Sequence, residues 1–269
     1  MIEVKKLTKS FDGRNVIHDI STVFETGKTN LIIGRSGSGK TVLLKNVIGL
    51  MIPESGEILF DGRNLLSMSK KETLALRREM GLLFQGSALF DSMTVLENVM
   101  FPLDMFSHDT VRERRKRAMM CLERVALTAD TYNLYPSEIS GGMMKRAAIA
   151  RAIVLQPKYL FCDEPNSGLD PKTSLIIDEL IHSITKEYEM TTVINTHDMN
   201  SVMNIGETII FIKEGIKEWG GTKEQVINSD NKALEEFIFA SDLLRKAKEM
   251  EEEKQKEQNS TSIKTDDYQ

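Results

Sequence analysis

The sequence predicts an α/β fold built on a largely parallel, covered sheet, and three observations carry that expectation. Short runs rich in Ile, Val, Thr and Phe alternate with segments of helical period along most of the chain. One run, Thr29-Asn30-Leu31-Ile32-Ile33, has the pattern of a short buried strand and passes at once into a glycine-rich turn and the helical segment Thr41 to Ile48. The 269 residues, 41% hydrophobic and 28% charged, suffice for one sizeable core with a smaller subdomain beside it, without metals or disulfides.

Taken in order, residues 2–8 and 16–24 read as strands around the turn signal Asp12-Gly13, which predicts an antiparallel start. After the strand at 29–33 and its helix comes a strand from Gly56 to Phe60, then a mainly helical stretch from about Lys71 to Gln156. Strand character returns at Tyr159 to Cys162, Thr191 to Asn195 and Thr208 to Lys213, with a helix opening on Pro171 between the first two. From Lys232 the pattern is helical. After Leu244 it becomes a Lys/Glu/Gln run and then a polar tail through Gln269, whose last ten to twenty residues lack the apolar content to offset their ordering entropy. The expected organisation is one domain over 1–230, with a helical subdomain at about 86–156, followed by a C-terminal helix and a polar, flexible tail over 231–269.

Composition excludes several function classes. Cys121 and Cys162 are too few for a disulfide framework and lack zinc-ligand spacing, which favours a reducing, cytoplasmic compartment. Charge interrupts every short apolar stretch of Met1 to Leu7, and no later run reaches membrane-spanning length. A formal net charge of -5 argues against nucleic acid as a partner. Only Arg112 to Arg117 is locally basic, either as a solvated helix face or as a face toward anionic lipid or a partner.

Three motifs carry chemistry. Gly34-Arg35-Ser36-Gly37-Ser38-Gly39-Lys40-Thr41 fits the phosphate-binding loop pattern, between an apolar strand and an amphipathic helix as that mechanism requires. Its glycines let successive N–H groups point at phosphates, the following helix offers its positive end, Lys40 reaches the outer phosphates and the Thr41 hydroxyl suits Mg²⁺. Tyr159-Leu160-Phe161-Cys162-Asp163-Glu164 is a buried strand ending in two acids that face different ways, so Asp163 can serve the Mg²⁺ shell while Glu164 faces an attacking water. Ile139-Ser140-Gly141-Gly142-Met143 precedes a helical run, with Ser140 as N-cap and open N–H groups for a second anion contact. Taken alone, the second motif also fits an ordinary strand-to-loop transition, and the third an ordinary capped loop.

In this order these residues resemble the ABC ATPase superfamily, a P-loop NTPase fold with a RecA-like core, an antiparallel β subdomain and a helical signature subdomain; Gln85, Asp170 and His197 complete the match, which extends to about residue 230. The resemblance implies ATP and Mg²⁺ as cofactors and a head-to-tail pair of copies, Ser140, Gly141 and Gly142 of one completing the ATP site of the other. It implies Phe11 stacking on adenine, Gln85 sensing Mg²⁺ and the nucleophilic water, Glu164 as catalytic base, His197 contacting the γ-phosphate and Asp170 at the seam between copies. Read without the resemblance, Phe11 fits a core position, Gln85 a surface loop and His197-Asp198 a helix cap.

The segment Phe84-Gln85-Gly86-Ser87-Ala88-Leu89-Phe90, with a signature ending in Met143, is similar to the ATPases of MCE-type (Mla-like) phospholipid transporters. That likeness implies an integral-membrane permease docking a helix on Ala88, Leu89 and Phe90, an MCE-domain protein as a further partner, phospholipid as substrate and a place at the cytoplasmic face of the inner membrane. Another ABC system for solute import, lipoprotein release or cell division fits the same segment. A soluble ABC protein of DNA repair or translation fits less well, because no long coiled coil separates P-loop and signature and no second nucleotide domain follows. The stretch 241–269 matches nothing in the subfamily.

Overall fold

A computed structural model describes residues 1–238; the expected Lys/Glu/Gln run and polar tail lie outside the described residues. Strands β1 (Ile2–Phe11) and β2 (Arg14–Phe24) pair antiparallel around Asp12-Gly13, and both turn residues have positive φ, 49° and 74°. That geometry matches the right-handed twist of the strands, and an Asp-Gly pair reaches it at low cost. The next strands are β3 (Thr29–Ile33), then, after helix α1 (Lys40–Val47), β4 (Ser55–Phe60) and β5 (Arg63–Asn64). β4 adds to the free edge of β1 and β5 to β4, which gives an antiparallel sheet of order β2-β1-β4-β5.

Helix α2 (Lys70–Arg78) leads into β6 (Met80–Leu83), a strand inside the stretch expected to be mainly helical. Four residues are too few to display a period. Gly81 is the other clue, since a side chain there would overlap the Ala152 carbonyl. Helices α3 (Val95–Phe106), α4 (Val111–Arg124) and α5 (Gly141–Ile153) then form the helical region. Its starts are written in the sequence: Thr94 with Glu97 and Thr110 with Glu113 make complete capping boxes. Of the basic run on α4, Arg114 pairs with Asp104 and Arg117 with Asp109, while Arg112, Arg115 and Lys116 are exposed.

The chain returns to the sheet with β7 (Tyr159–Asp163), α6 (Pro171–Glu187), β8 (Thr191–Thr196), α7 (Met199–Ile205), β9 (Thr208–Lys213) and β10 (Ile216–Gly221), and the described part closes with α8 (Lys223–Ile227) and α9 (Lys232–Ile238). With the two-residue β5 and with β6, β10 makes three strands absent from the sequence expectation. It pairs antiparallel at a sheet edge and its side chains alternate between exposed and half-buried, so it shows no apolar run. The six-stranded order is β10-β9-β3-β8-β7-β6, parallel except at β10.

Strand alternation divides the core in two. Leu31, Ile33, Leu160, Cys162, Ile194, Ile209 and Phe211 face the helices α3 to α6, while Ile32, Tyr159, Phe161, Val193, Ile210 and Ile212 face α1 and the antiparallel sheet. β3 is buried at all five positions because it lies between β8 and β9 with both faces covered. The carboxyl ends of β3, β8 and β7 are therefore adjacent, where open parallel sheets place their ligands.

Candidate nucleotide site

At the end of β3 the chain turns through Gly34, at φ 150°, where a side chain would overlap the Ile212 carbonyl and come within 2.7 Å of Ser38 Oγ. Gly39, at φ 105°, opens α1. Lys40 folds back over this loop: Nζ donates to the carbonyls of Gly34 at 2.8 Å and Arg35 at 3.2 Å and lies 3.9 Å from the Glu164 carboxylate. Burial of its ammonium pulls its pKa below the ordinary lysine value, against the opposing pull of Glu164 and Asp163. Ser38 Oγ is buried without a hydrogen-bond partner. A free hydroxyl, a buried cation bonded only to carbonyls and a helix N-terminus with no acid in its first turn fit a bound polyphosphate.

β7 delivers the acids. Asp163 Oδ1 accepts from Thr41 Oγ1 at 3.3 Å and from Asn195 Nδ2, on β8, at 3.0 Å, so the carboxylate is fixed beside the loop. Glu164 then turns with φ 49°, a left-handed conformation that costs about 1 to 3 kcal/mol for a side-chain-bearing residue, and its N–H donates to the Asn195 carbonyl at 3.0 Å. The turn separates the two acids. Glu164 lies 2.9 Å from His197 Nδ1, just beyond β8. Gln85, just beyond β6, donates from Nε2 to Ser167 Oγ at 3.1 Å. Gly34 to Thr41, Gln85, Asp163, Glu164 and His197 thus gather at one end of the sheet. Asp198 caps α7, leaving His197 outside the cap.

Among the described residues, Ser140, Gly141, Gly142, Phe11 and Asp170 make no hydrogen bond or ion pair with that cluster. Ser140 Oγ accepts from Met143 N–H at 3.3 Å as the N-cap of α5. A side chain at Gly142 would come within 2.8 Å of the Thr173 methyl group, so that glycine also lets α5 approach α6. Asp170 caps α6, accepting from the Thr173 N–H at 3.0 Å and from its hydroxyl at 2.5 Å. Among the described residues, no hydrogen bond or ion pair joins Ser140, Gly141, Gly142 or Phe11 to the loop 34–41. Phe11 is 42% exposed, under the Lys9 ammonium at 5.2 Å, which rules out the core reading.

Several supporting residues were not singled out from sequence. Asn195 holds Asp163, and Lys145, 4% exposed on α5, donates from Nζ to the Gln85 carbonyl. Arg151, also on α5, donates to the carbonyls of Ser87 and Ala88, both at 2.7 Å and both residues at positive φ. Asn98 braces the next turn through the Phe90 N–H and the carbonyls of Phe90, Met93 and Thr94. Of the expected permease-facing residues, Ala88 and Phe90 are exposed, but Leu89 packs half-buried on the core, and Phe84 and Met105 add to the open apolar surface. Arg151→Met should lose two charge-assisted bonds, about 3 kcal/mol in total at the low end of their range because the site is partly exposed. A melting temperature lower by about 6 to 12 °C checks this.

A phosphate cradle on one strand, with an acid-ended strand and a histidine beside it, defines a P-loop nucleotide hydrolase. A family profile described as ABC transporter matches residues 17–167. The mkl protein of Mycobacterium leprae (strain TN), named as a probable ribonucleotide transport ATP-binding protein, is 38% identical over 237 residues, covering 88% of this chain and 68% of its own. MlaF of Haemophilus influenzae, an intermembrane phospholipid transport system ATP-binding protein, is 37% identical over 88% of this chain and 90% of its own. MetN of Carboxydothermus hydrogenoformans, a methionine import ATP-binding protein, is 38% identical over 88% and 71%. The dimeric ATP-binding cassette MJ0796 in a post-hydrolysis state, bound to ADP and Pi, superimposes with a TM-score of 0.76 at 33% identity, over 83% of this chain and 99% of that one. The chain belongs to the ABC transporter family. It is an ATP-binding subunit whose ATPase activity is coupled to transport.

Proposed function

We propose that two copies of this chain close head-to-tail around two ATP molecules and drive an integral-membrane permease, in a system that moves phospholipid across a bacterial envelope. The observation that carries the two-copy reading is that, among the described residues, no hydrogen bond or ion pair ties Ser140, Gly141 or Gly142 to the chain's own phosphate loop, while the first N–H groups of α5 stay open. The dimeric cassette supports it. Within each site, Ser38, Lys40 and the loop N–H groups bind the phosphates, Phe11 stacks on adenine, and the partner copy's signature supplies fixed dipoles to the γ-phosphate. Thr41, Asp163 and Gln85 would hold Mg²⁺, which neutralises charge on the phosphate oxygens. Glu164 accepts a proton from water as its oxygen attacks the γ-phosphorus and the bond to the β-phosphate oxygen breaks; His197 orients that carboxylate and meets the γ-phosphate. Asp170 holds the turn before α6 at the seam between copies.

The phospholipid reading rests on the likeness to MlaF over 90% of that protein and on the apolar surface at Phe84, Ala88 and Phe90. It places the chain at the cytoplasmic face of the inner membrane, with an MCE-domain protein in the complex. The domain reading stands beside it: 1–230 is the ATPase domain and 231–269 an appendage. The similar identity of MetN favours a second reading, solute import. Co-purification with the products of neighbouring genes decides between them. Phospholipid and an MCE-domain protein in the complex support the first reading; a solute-binding protein with neither contradicts it.

A further inference from the structure

A buried polar junction lies behind the catalytic cluster. Asn166, two residues beyond Glu164, points inward and its Nδ2 bridges two elements: it donates to Asp178 Oδ1, on α6, at 2.8 Å and to Ser201 Oγ, on α7, at 3.0 Å. Asp178 and Ser201 are each 1% exposed. A carboxylate so deeply placed, with Oδ2 lacking a hydrogen-bond partner, is a poor choice for stability, because the core around it would favour an apolar side chain. The loop it anchors carries both catalytic contacts: Glu164 toward His197, whose own segment runs into α7, and Ser167 toward Gln85. One amide therefore fixes the loop after β7 to the helix after β8.

We propose that Asn166, Asp178 and Ser201 form a positioning unit that sets Glu164 against His197 and Ser167 against Gln85, so that turnover depends on it while ATP binding does not. The inference rests on Glu164 acting as the base. Gly34 to Thr41 take no part in the junction, so nucleotide affinity has no reason to change.

Burial pushes the Asp178 carboxyl up to about 6, with Asp198 at the cap of α7 and Glu179 on α6 adding like charge, the hydrogen bonds of Ser201 and Asn166 opposing it, and the Cys162 thiol of β7 nearby. A folded value above the unfolded one means that folding favours the protonated form, and that this contribution is lost as pH rises through about 6. Removing the charge should therefore leave melting at pH 8 no lower than in the parent, which a merely structural loss would not do.

The test compares Asp178→Asn, Asn166→Asp and the exchanged pair carrying both, with steady-state ATPase kinetics and thermal melting at pH 8. Expected are a kcat lower by about tenfold in each single variant, a KM for ATP within about twofold of the parent, melting of Asp178→Asn no lower than the parent, and recovery of most of kcat in the exchanged pair, where the amide and carboxylate face each other again. Parental kcat in Asp178→Asn, a joint loss of kcat, KM and melting temperature, or an exchanged pair no better than its parts would overturn the proposal. Glu164→Gln run alongside separates the premises: if it turns over at the parental rate the base assignment fails, whereas an inactive Glu164→Gln beside a fully active Asp178→Asn sinks only the positioning unit.

Discussion

Glu164→Gln is expected to bind ATP as tightly as the parent while kcat falls by about 10²- to 10⁴-fold, the usual contribution of a positioned general base. In transition-state terms that is about 3 to 5 kcal/mol. The substitution keeps size and shape and leaves an oxygen that can accept from His197, so the contact at 2.9 Å survives while proton acceptance is lost. Arrested before hydrolysis, the ATP-bound pair should persist and become visible by mass. Single-turnover and steady-state kinetics beside an equilibrium binding measurement check the split between binding and turnover.

Lys40→Ala acts at the earlier step. The ammonium, 7% exposed and bonded only to the carbonyls of Gly34 and Arg35, stands where outer phosphates would replace those weak acceptors. A charged hydrogen bond of this kind contributes about 1.5 to 3 kcal/mol, so the ATP dissociation constant should rise about 10- to 150-fold. The fold should tolerate the change, because the desolvation that lowers the lysine pKa disappears with the charge. Isothermal titration with ATP, with thermal melting as the control, reads both effects.

Much of the site was legible because its residues stand in runs whose local geometry follows from their identity. Gly34 and Gly39 occupy backbone conformations that glycine adopts at little cost, Asp163 ends an apolar strand, and Ser140 and Asp170 stand at N-cap positions. The residues that hold this frame were not legible, since their partners are distant in sequence. Asn195 reads as one polar residue in a strand until β8 is placed beside β7, and Lys145 and Arg151 look like ordinary basic positions of a helix until their carbonyl partners at Gln85, Ser87 and Ala88 are known. Asn166 and Asp178 are of the same kind, twelve residues apart along the chain but joined only after α6 folds back on the loop. In the fold, β5 and β6 escape the sequence pattern because they are two and four residues long, and β10 because its edge position leaves half of it polar.

Sedimentation velocity on Glu164→Gln, with and without a second change Ser140→Arg, tests the two-copy site most directly. Ser140 lies outside the chain's own phosphate loop, so the added guanidinium should leave nucleotide binding to a single copy unchanged while blocking closure of the pair. The account predicts that ATP with Mg²⁺ converts Glu164→Gln to twice the monomer mass, and that the doubly changed chain binds ATP with parental affinity yet stays at monomer mass. A doubly changed chain that still pairs, or that has lost ATP binding as a monomer, would contradict it.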